Sequence, residues 1–206
     1  MIKSFIATIL LLITTNAYAD IILIQSPIGD DVSIGTATVI SDRLAITNKH
    51  VVGDKIVMAW VRKKGHRAIK VLAKDPNNDI ALLEGDFKGV KHTKFKEASE
   101  GSGVALGYLD GVKHKTYPGD YFVDSGFLYF KGSIYPGQSG GIIKDEKDGK
   151  AVGVIMGVAR DKNTCMDNGS VAVPSHIIKA FIERSLKESS GSKYLPKAIK
   201  PVFISE

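Results

Sequence analysis

A single cysteine, Cys165, stands in the 206-residue sequence. One thiol closes no internal disulfide, so packing and hydrogen bonds must hold the fold. Cys165 reads as a shielded thiol, not a catalytic one. Past residue 19, no stretch is apolar over enough length to cross a bilayer. Low-complexity tracts and internal repeats are missing too. Basic residues gather at Arg62-Lys63-Lys64, between Lys88 and Lys96, and at Lys113-His114-Lys115. None of these is a dense run interleaved with aromatics, so they read as solvated hairpin tips and no nucleic acid is expected as a partner. His66, His92 and His114 lie in basic segments, and His176 opens a helical stretch. None pairs with Cys or Glu at ligand spacing, so neither a structural zinc nor any other cofactor is expected. Asp161, Asn163, Asp167 and Asn168 fit no calcium-loop spacing and read as a polar loop.

What is present is ordinary globular composition, 44% hydrophobic and 24% charged, with 21 glycines. Lys3, the apolar run from Phe5 to Ile13 and the small residues of Ala17-Tyr18-Ala19 make residues 1–19 read as a secretory signal peptide. That implies export to a periplasm or the medium, with no membrane insertion after cleavage. The net charge of +6 becomes +5 when Lys3 leaves with the leader.

From Ile21 onward short β-rich runs alternate with turns: Ile34–Ile40, Leu44–Thr47, Lys55–Val61, Arg67–Ala73 and Asp79–Leu83, then Gly103–Tyr108, Phe127–Phe130, Gly141–Lys144, Ala151–Val158 and Ser170–Val173. This pattern predicts an all-β antiparallel barrel or sandwich. The polar, small stretch from Glu97 to Ser102 marks a boundary, dividing a unit at 20–100 from one at 101–188. One amphipathic helix begins at Pro174-Ser175, with Ile177, Ile178, Phe181, Ile182 and Leu186 on one face. Residues 189–206 read as a flexible tail.

Gly137-Gln138-Ser139-Gly140-Gly141 is the chemical focus. A serine hydroxyl needs a base to take its proton, and donors aimed at the oxyanion it creates. His50 and Asp79 both sit where a strand meets a turn, and both precede Ser139. The order His, Asp, Ser suits a triad in which His50 is general base, Asp79 fixes its tautomer, and the N–H groups of Gly137 and Ser139 bind the oxyanion. Gly137, Ser139 and Gly141 also satisfy Gly-x-Ser-x-Gly, the nucleophile elbow of α/β-hydrolase esterases. That fold needs an acid and then a histidine after the serine, and only His176 follows.

Thr47-Asn48-Lys49-His50-Val51-Val52, Asp75-Pro76-Asn77-Asn78-Asp79-Ile80-Ala81-Leu82-Leu83 and Gly137–Gly141 resemble the histidine, aspartate and nucleophile motifs of bacterial trypsin-like serine proteases, especially glutamyl endopeptidases and the high-temperature-requirement type. Val152–Gly157 resembles their pocket strand, and Val171–Ser175 the end of their second barrel. The resemblance implies two six-stranded antiparallel β-barrels with a C-terminal α-helix, and a secreted serine endopeptidase acting through an acyl-enzyme on protein or peptide substrates. It places Ser133, Ile134, Ile155 and Gly157 at the primary specificity pocket. Gln138 stands where digestive relatives carry an aspartate, so a zymogen switch of that kind is not expected. Ser133 replaces the acid of trypsin-like pockets and Ile155 the histidine of glutamyl endopeptidases, which leaves an apolar pocket. A protease-fold binding protein without turnover stays open as an alternative, and the esterase as a weaker one.

Overall fold

The computed structural model describes residues 20–54, 56–61, 65–110, 113–158 and 169–190. The expected leader, the basic tip 62–64, the loop with Cys165 and the four calcium candidates, and the tail beyond 190 lie outside the described residues.

Twelve strands form two closed antiparallel barrels. The first contains β1 (Ile21–Ile28), β2 (Asp31–Val39), β3 (Leu44–Thr47), β4 (Ile56–Val61), β5 (Gly65–Lys74) and β6 (Ala81–Glu84), hydrogen-bonded in the order β1-β2-β3-β6-β5-β4. The second contains β7 (Glu100–Leu109), β8 (Lys113–Asp124), β9 (Phe127–Lys131), β10 (Ile142–Asp145), β11 (Ala151–Val158) and β12 (Ser170–Pro174), in the order β10-β11-β12-β9-β8-β7. A helix, α1 (Ser175–Ser190), follows. The all-β expectation of two six-stranded barrels and a C-terminal helix therefore holds.

Period-two patterning sets which face of each strand is buried. In β4, Val57, Ala59 and Val61 point inward, while Ile56, Met58 and Trp60 stay partly in solvent. Ile22, Ile24, Val39, Leu83 and Phe87 fill the first barrel, and Tyr121, Leu128, Phe130, Val152 and Ile155 fill the second. A third core lies in the seam between barrels. There Ile46, Ile80 and Leu82 meet Leu106, Ile142 and Val154, and Ile178, Phe181 and Ile182 of α1 close it. Each such side chain contributes about 1.5–3 kcal/mol when fully buried, so the two barrels share one hydrophobic commitment.

One strand runs well beyond its sequence pattern. Lys113–Asp120 is polar and carries Pro118 and Gly119, yet β8 pairs continuously with β7 from Lys113 to Phe122. Its other edge meets β9 only from Asp120 onward. The missing Pro118 N–H therefore falls where one edge is unpaired, the position in which a strand tolerates proline.

The second barrel is tied off by Asp145. Its carboxylate accepts hydrogen bonds from the Tyr121 hydroxyl and the backbone N–H groups of Lys147 and Asp148, and pairs with Lys96 at 3.0 Å. Burial alone would push this carboxyl up, but the Tyr121 and Lys96 bonds outweigh it and hold the carboxyl down at about 2. A depressed carboxylate stabilises the fold above its unfolded value, about pH 4, and that contribution fades as pH falls towards 2. Asp145→Asn is expected to be less stable at pH 7 and to show a shallower loss of stability between about pH 4 and 2. Urea unfolding across that range measures this; an acid slope identical to wild type would refute it.

Candidate active site

The histidine and aspartate come from the first barrel. After β3, Asn48 leads into a short 3-10 turn (Lys49–Val51), and Val51 and Val52 anchor that turn in the barrel core. This leaves His50 half exposed, facing Asp79. His50 Nδ1 lies 2.6 Å from Asp79 Oδ2, and the His50 backbone N–H donates to Asp79 Oδ1 at 3.0 Å. The carboxylate thus fixes both the ring and the backbone that carries it. The fully buried Asn48 amide donates to the Asp79 carbonyl at 2.8 Å. Burial raises the Asp79 carboxyl, but bonding to His50 more than offsets this and leaves it below the usual carboxylate value. It is therefore ionised at neutral pH and can stabilise a positively charged imidazole.

Asp79 does not lie in β6, as the apolar run suggests, but in the turn before it. That turn is organised by Asp75, whose Oδ1 accepts the N–H groups of Asn77 and Asn78 at 2.8 and 2.9 Å. Its Oδ2 holds Arg184 of α1 at 2.6 Å. The helix therefore braces the loop that presents the acid.

The serine comes from the second barrel, on two consecutive tight turns. Gln138 N–H bonds to the Tyr135 carbonyl, and Gly141 N–H to that of Gln138. Gly137 at φ +89° and Gly140 at φ +84° occupy the third position of each turn. A positive φ there is the type II signature and favours glycine. At Gly140 space adds to the demand: a Cβ would sit 1.9 Å from the Thr36 carbonyl oxygen and 2.3 Å from Thr47 Oγ1.

Every carbonyl of this loop has a partner. That of Pro136 accepts from Asp110 N–H (3.1 Å), Gly137 from the Thr36 hydroxyl (2.8 Å) and Gln138 from Gly141 N–H (2.9 Å). That of Ser139 accepts from Thr36 N–H (2.8 Å), and Gly140 from the Thr38 hydroxyl (3.0 Å). In a trans peptide the N–H points opposite the C=O. With the carbonyls of Pro136 and Gln138 held back, the N–H groups of Gly137 and Ser139 face away from the bonds that hold the loop. Neither donates to another group among the described residues. Two such donors are what an oxyanion requires.

Ser139 Oγ donates to the Met156 carbonyl at 3.0 Å, and no hydrogen bond joins it to His50 among the described residues. The structure thus couples Asp79 to His50 and leaves the Ser139 hydroxyl turned onto β11. Of the pocket candidates, Ser133 is exposed, Ile134 and Gly157 are half-buried, and Ile155 is fully buried in the second barrel's core with Ile134 packed against the same cluster. Sequence reasoning missed Thr36, Thr38, Asp110, Asp75 and Met156. Each acts through a backbone group or a bond to one, which no local motif announces.

Two closed six-stranded antiparallel barrels, with the His50–Asp79 pair on one and the Ser139 loop on the other bonded across the seam at Thr36, define the class of two-barrel chymotrypsin-like folds. A family model for the trypsin-like peptidase domain matches residues 35–154, and the chain belongs to that family. A probable periplasmic serine endoprotease, DegP-like, from Pseudomonas putida strain F1 is 30% identical over 151 residues, which cover 63% of this chain and 31% of that protein. The chain thus spans about a third of the length of the curated relatives it matches. Among solved structures, the serine endoprotease from Yersinia pestis superposes with TM-score 0.71 at 18% identity, over 84% of this chain and 64% of that one. The active form of the Rv3671c protease from M. tuberculosis gives 0.67 at 23% identity, over 90% and 84%.

Gly140 and Gly149 both have positive φ, but only Gly140 lacks room for a Cβ. Gly149→Ala is expected to cost about 1 kcal/mol. Gly140→Ala should cost at least about 3 kcal/mol, because the seam must open. Thermal unfolding of the pair tests this; equal costs would mean that the seam does not press on the loop.

Proposed function

We propose that the chain is an exported serine endopeptidase with His50, Asp79 and Ser139 as its triad. The carrying observation is the pair of unengaged N–H groups, Gly137 and Ser139, together with an ionised Asp79 bonded to the His50 ring. Rotation about the Ser139 side chain exchanges the Met156 carbonyl for His50 Nε2, a rearrangement of the kind that resting enzymes make on binding substrate. His50 then takes the hydroxyl proton as Oγ attacks the scissile carbonyl. The oxyanion forms opposite the two N–H groups. Asp79 stabilises the imidazolium, which hands its proton to the leaving amine. Water repeats the sequence on the acyl-enzyme.

The half-buried Ile134, with no acid at Ser133, favours an aliphatic or mid-sized apolar side chain before the cut, while Ile155, fully buried in the barrel core, has no surface to offer a substrate. The periplasmic naming of the Pseudomonas relatives, with the character of residues 1–19, supports a periplasmic or extracellular site of action. A second reading, a protease-fold binder without turnover, draws on the Ser139–Met156 bond.

Residues 20–206 treated with a fluorophosphonate are expected to label at Ser139. Ser139→Ala and His50→Ala should lose labelling and about a millionfold in turnover, and Asp79→Asn should lose about ten-thousandfold. A folded wild type that does not label would favour the binder. In a peptide library, dominant cleavage after charged residues would refute the apolar pocket.

A further inference from the structure

The candidate oxyanion donors are backbone groups in a glycine-rich loop, and the turn bonds within the loop, from Gln138 N–H to Tyr135 and from Gly141 N–H to Gln138, leave the Pro136–Gly137 peptide that carries the Gly137 N–H unfixed. The fixing comes from outside. Tyr108 and Asp110, two residues apart at and just past the end of β7, lie beyond the pairing of that strand with β10, which ends at Leu106↔Ile142. The Asp110 N–H holds the Pro136 carbonyl directly. The Tyr108 N–H donates to Thr36 Oγ1 at 2.9 Å, and the same hydroxyl donates to the Gly137 carbonyl at 2.8 Å.

An N–H can only donate and a carbonyl can only accept. The Thr36 hydroxyl is therefore oriented without ambiguity, as acceptor from one side and donor to the other. Thr36 is fully buried, and its backbone is pinned by Thr36 N–H to the Ser139 carbonyl and by Thr47 Oγ1 to its own carbonyl, at 2.8 and 2.7 Å. The hydroxyl therefore has a rigid base. Gly137 at φ +89° has no side chain to resist rotation of the peptide planes on either side of it. With its carbonyl freed, Gly137 would be held only by the Asp110 bond on one side and the Gln138 N–H bond on the other, the two longest bonds of the loop, and its N–H would lose its fixed aim at the oxyanion.

We propose that Thr36 is a positioning residue for the oxyanion hole: its hydroxyl relays the Tyr108 N–H to the Gly137 carbonyl and so holds the Gly137 N–H, supplied by one barrel, in place from the other. This rests on the reading of Ser139 as nucleophile. The hole is used most strongly in the transition state, so its loss falls on kcat and not on substrate binding.

Thr36→Val keeps shape and branching but can neither donate nor accept. It is expected to lower kcat about ten- to a hundredfold, less than outright removal of an oxyanion donor because the Gly137 N–H is displaced and not deleted. KM should stay within about twofold, and fluorophosphonate labelling should slow in step with kcat. Thr36→Ser restores the hydroxyl and should recover most of that loss. Should the valine variant fail to fold, Thr36→Ala is read in the same way against the serine rescue. A folded Thr36→Val with wild-type kcat overturns the proposal alone, as does a serine variant as impaired as the valine one. A wild type that neither labels nor turns over overturns the proposal together with the serine-nucleophile reading.

Discussion

The hydrogen bond from Thr36 N–H to the Ser139 carbonyl is the point at which the two barrels become one device. It is a backbone bond between residues 103 positions apart, and it sits inside a seam where Thr36, Thr38 and Thr47 are all fully buried. Three buried hydroxyls at an apolar interface would be costly if unpaired. Each is spent on a carbonyl: Gly137, Gly140 and Thr36 itself. The threonines of one barrel thus shape the nucleophile loop of the other, and the apolar seam core around Ile46, Leu106 and Ile142 keeps them in register.

The same division of labour runs through the rest of the site. In the proposed mechanism the first barrel supplies base and acid, joined at 2.6 Å, and the second supplies nucleophile and donors. The C-terminal helix belongs to neither barrel's sheet, yet Arg184 reaches Asp75 and so steadies the turn that carries Asp79. The proposed catalytic geometry would depend on packing far from the reacting atoms, since a displacement of about 1 Å between the barrels is enough to spoil the alignment of His50 with Ser139.

Much of this was legible in the residues. Period-two alternation and dense turn formers gave strands at nearly every stretch read as one, and the helix face from Ile177 to Leu186 lies where the 3.6 period put it. Strand ends were poorer. Lys113–Asp120 has the composition of a loop and became two-thirds of the longest strand, because pairing with β7 outweighed local preference. Asp79 looked like a strand residue because an apolar run follows it, whereas Asp75 and its amide partners hold it in a turn. The candidate triad was visible as three motifs in order, but the orientation of Ser139 Oγ towards Met156 was not. A side-chain rotamer responds to whichever acceptor the fold brings near.

By itself the sequence determined the chemistry on offer: a serine among glycines that tolerate its turns, a histidine and an aspartate near strand ends, and a single cysteine that closes no internal disulfide. Tertiary structure alone decided which way each peptide of the nucleophile loop faces and which residues hold it there. Thr36, Tyr108 and Asp110 contribute through backbone N–H groups or one buried hydroxyl. Every residue except proline carries such an N–H, so no sequence pattern distinguishes the few that are placed to act. They acquire a role only when closing two barrels brings distant strand ends within hydrogen-bond distance, 2.8 to 3.1 Å, of one another.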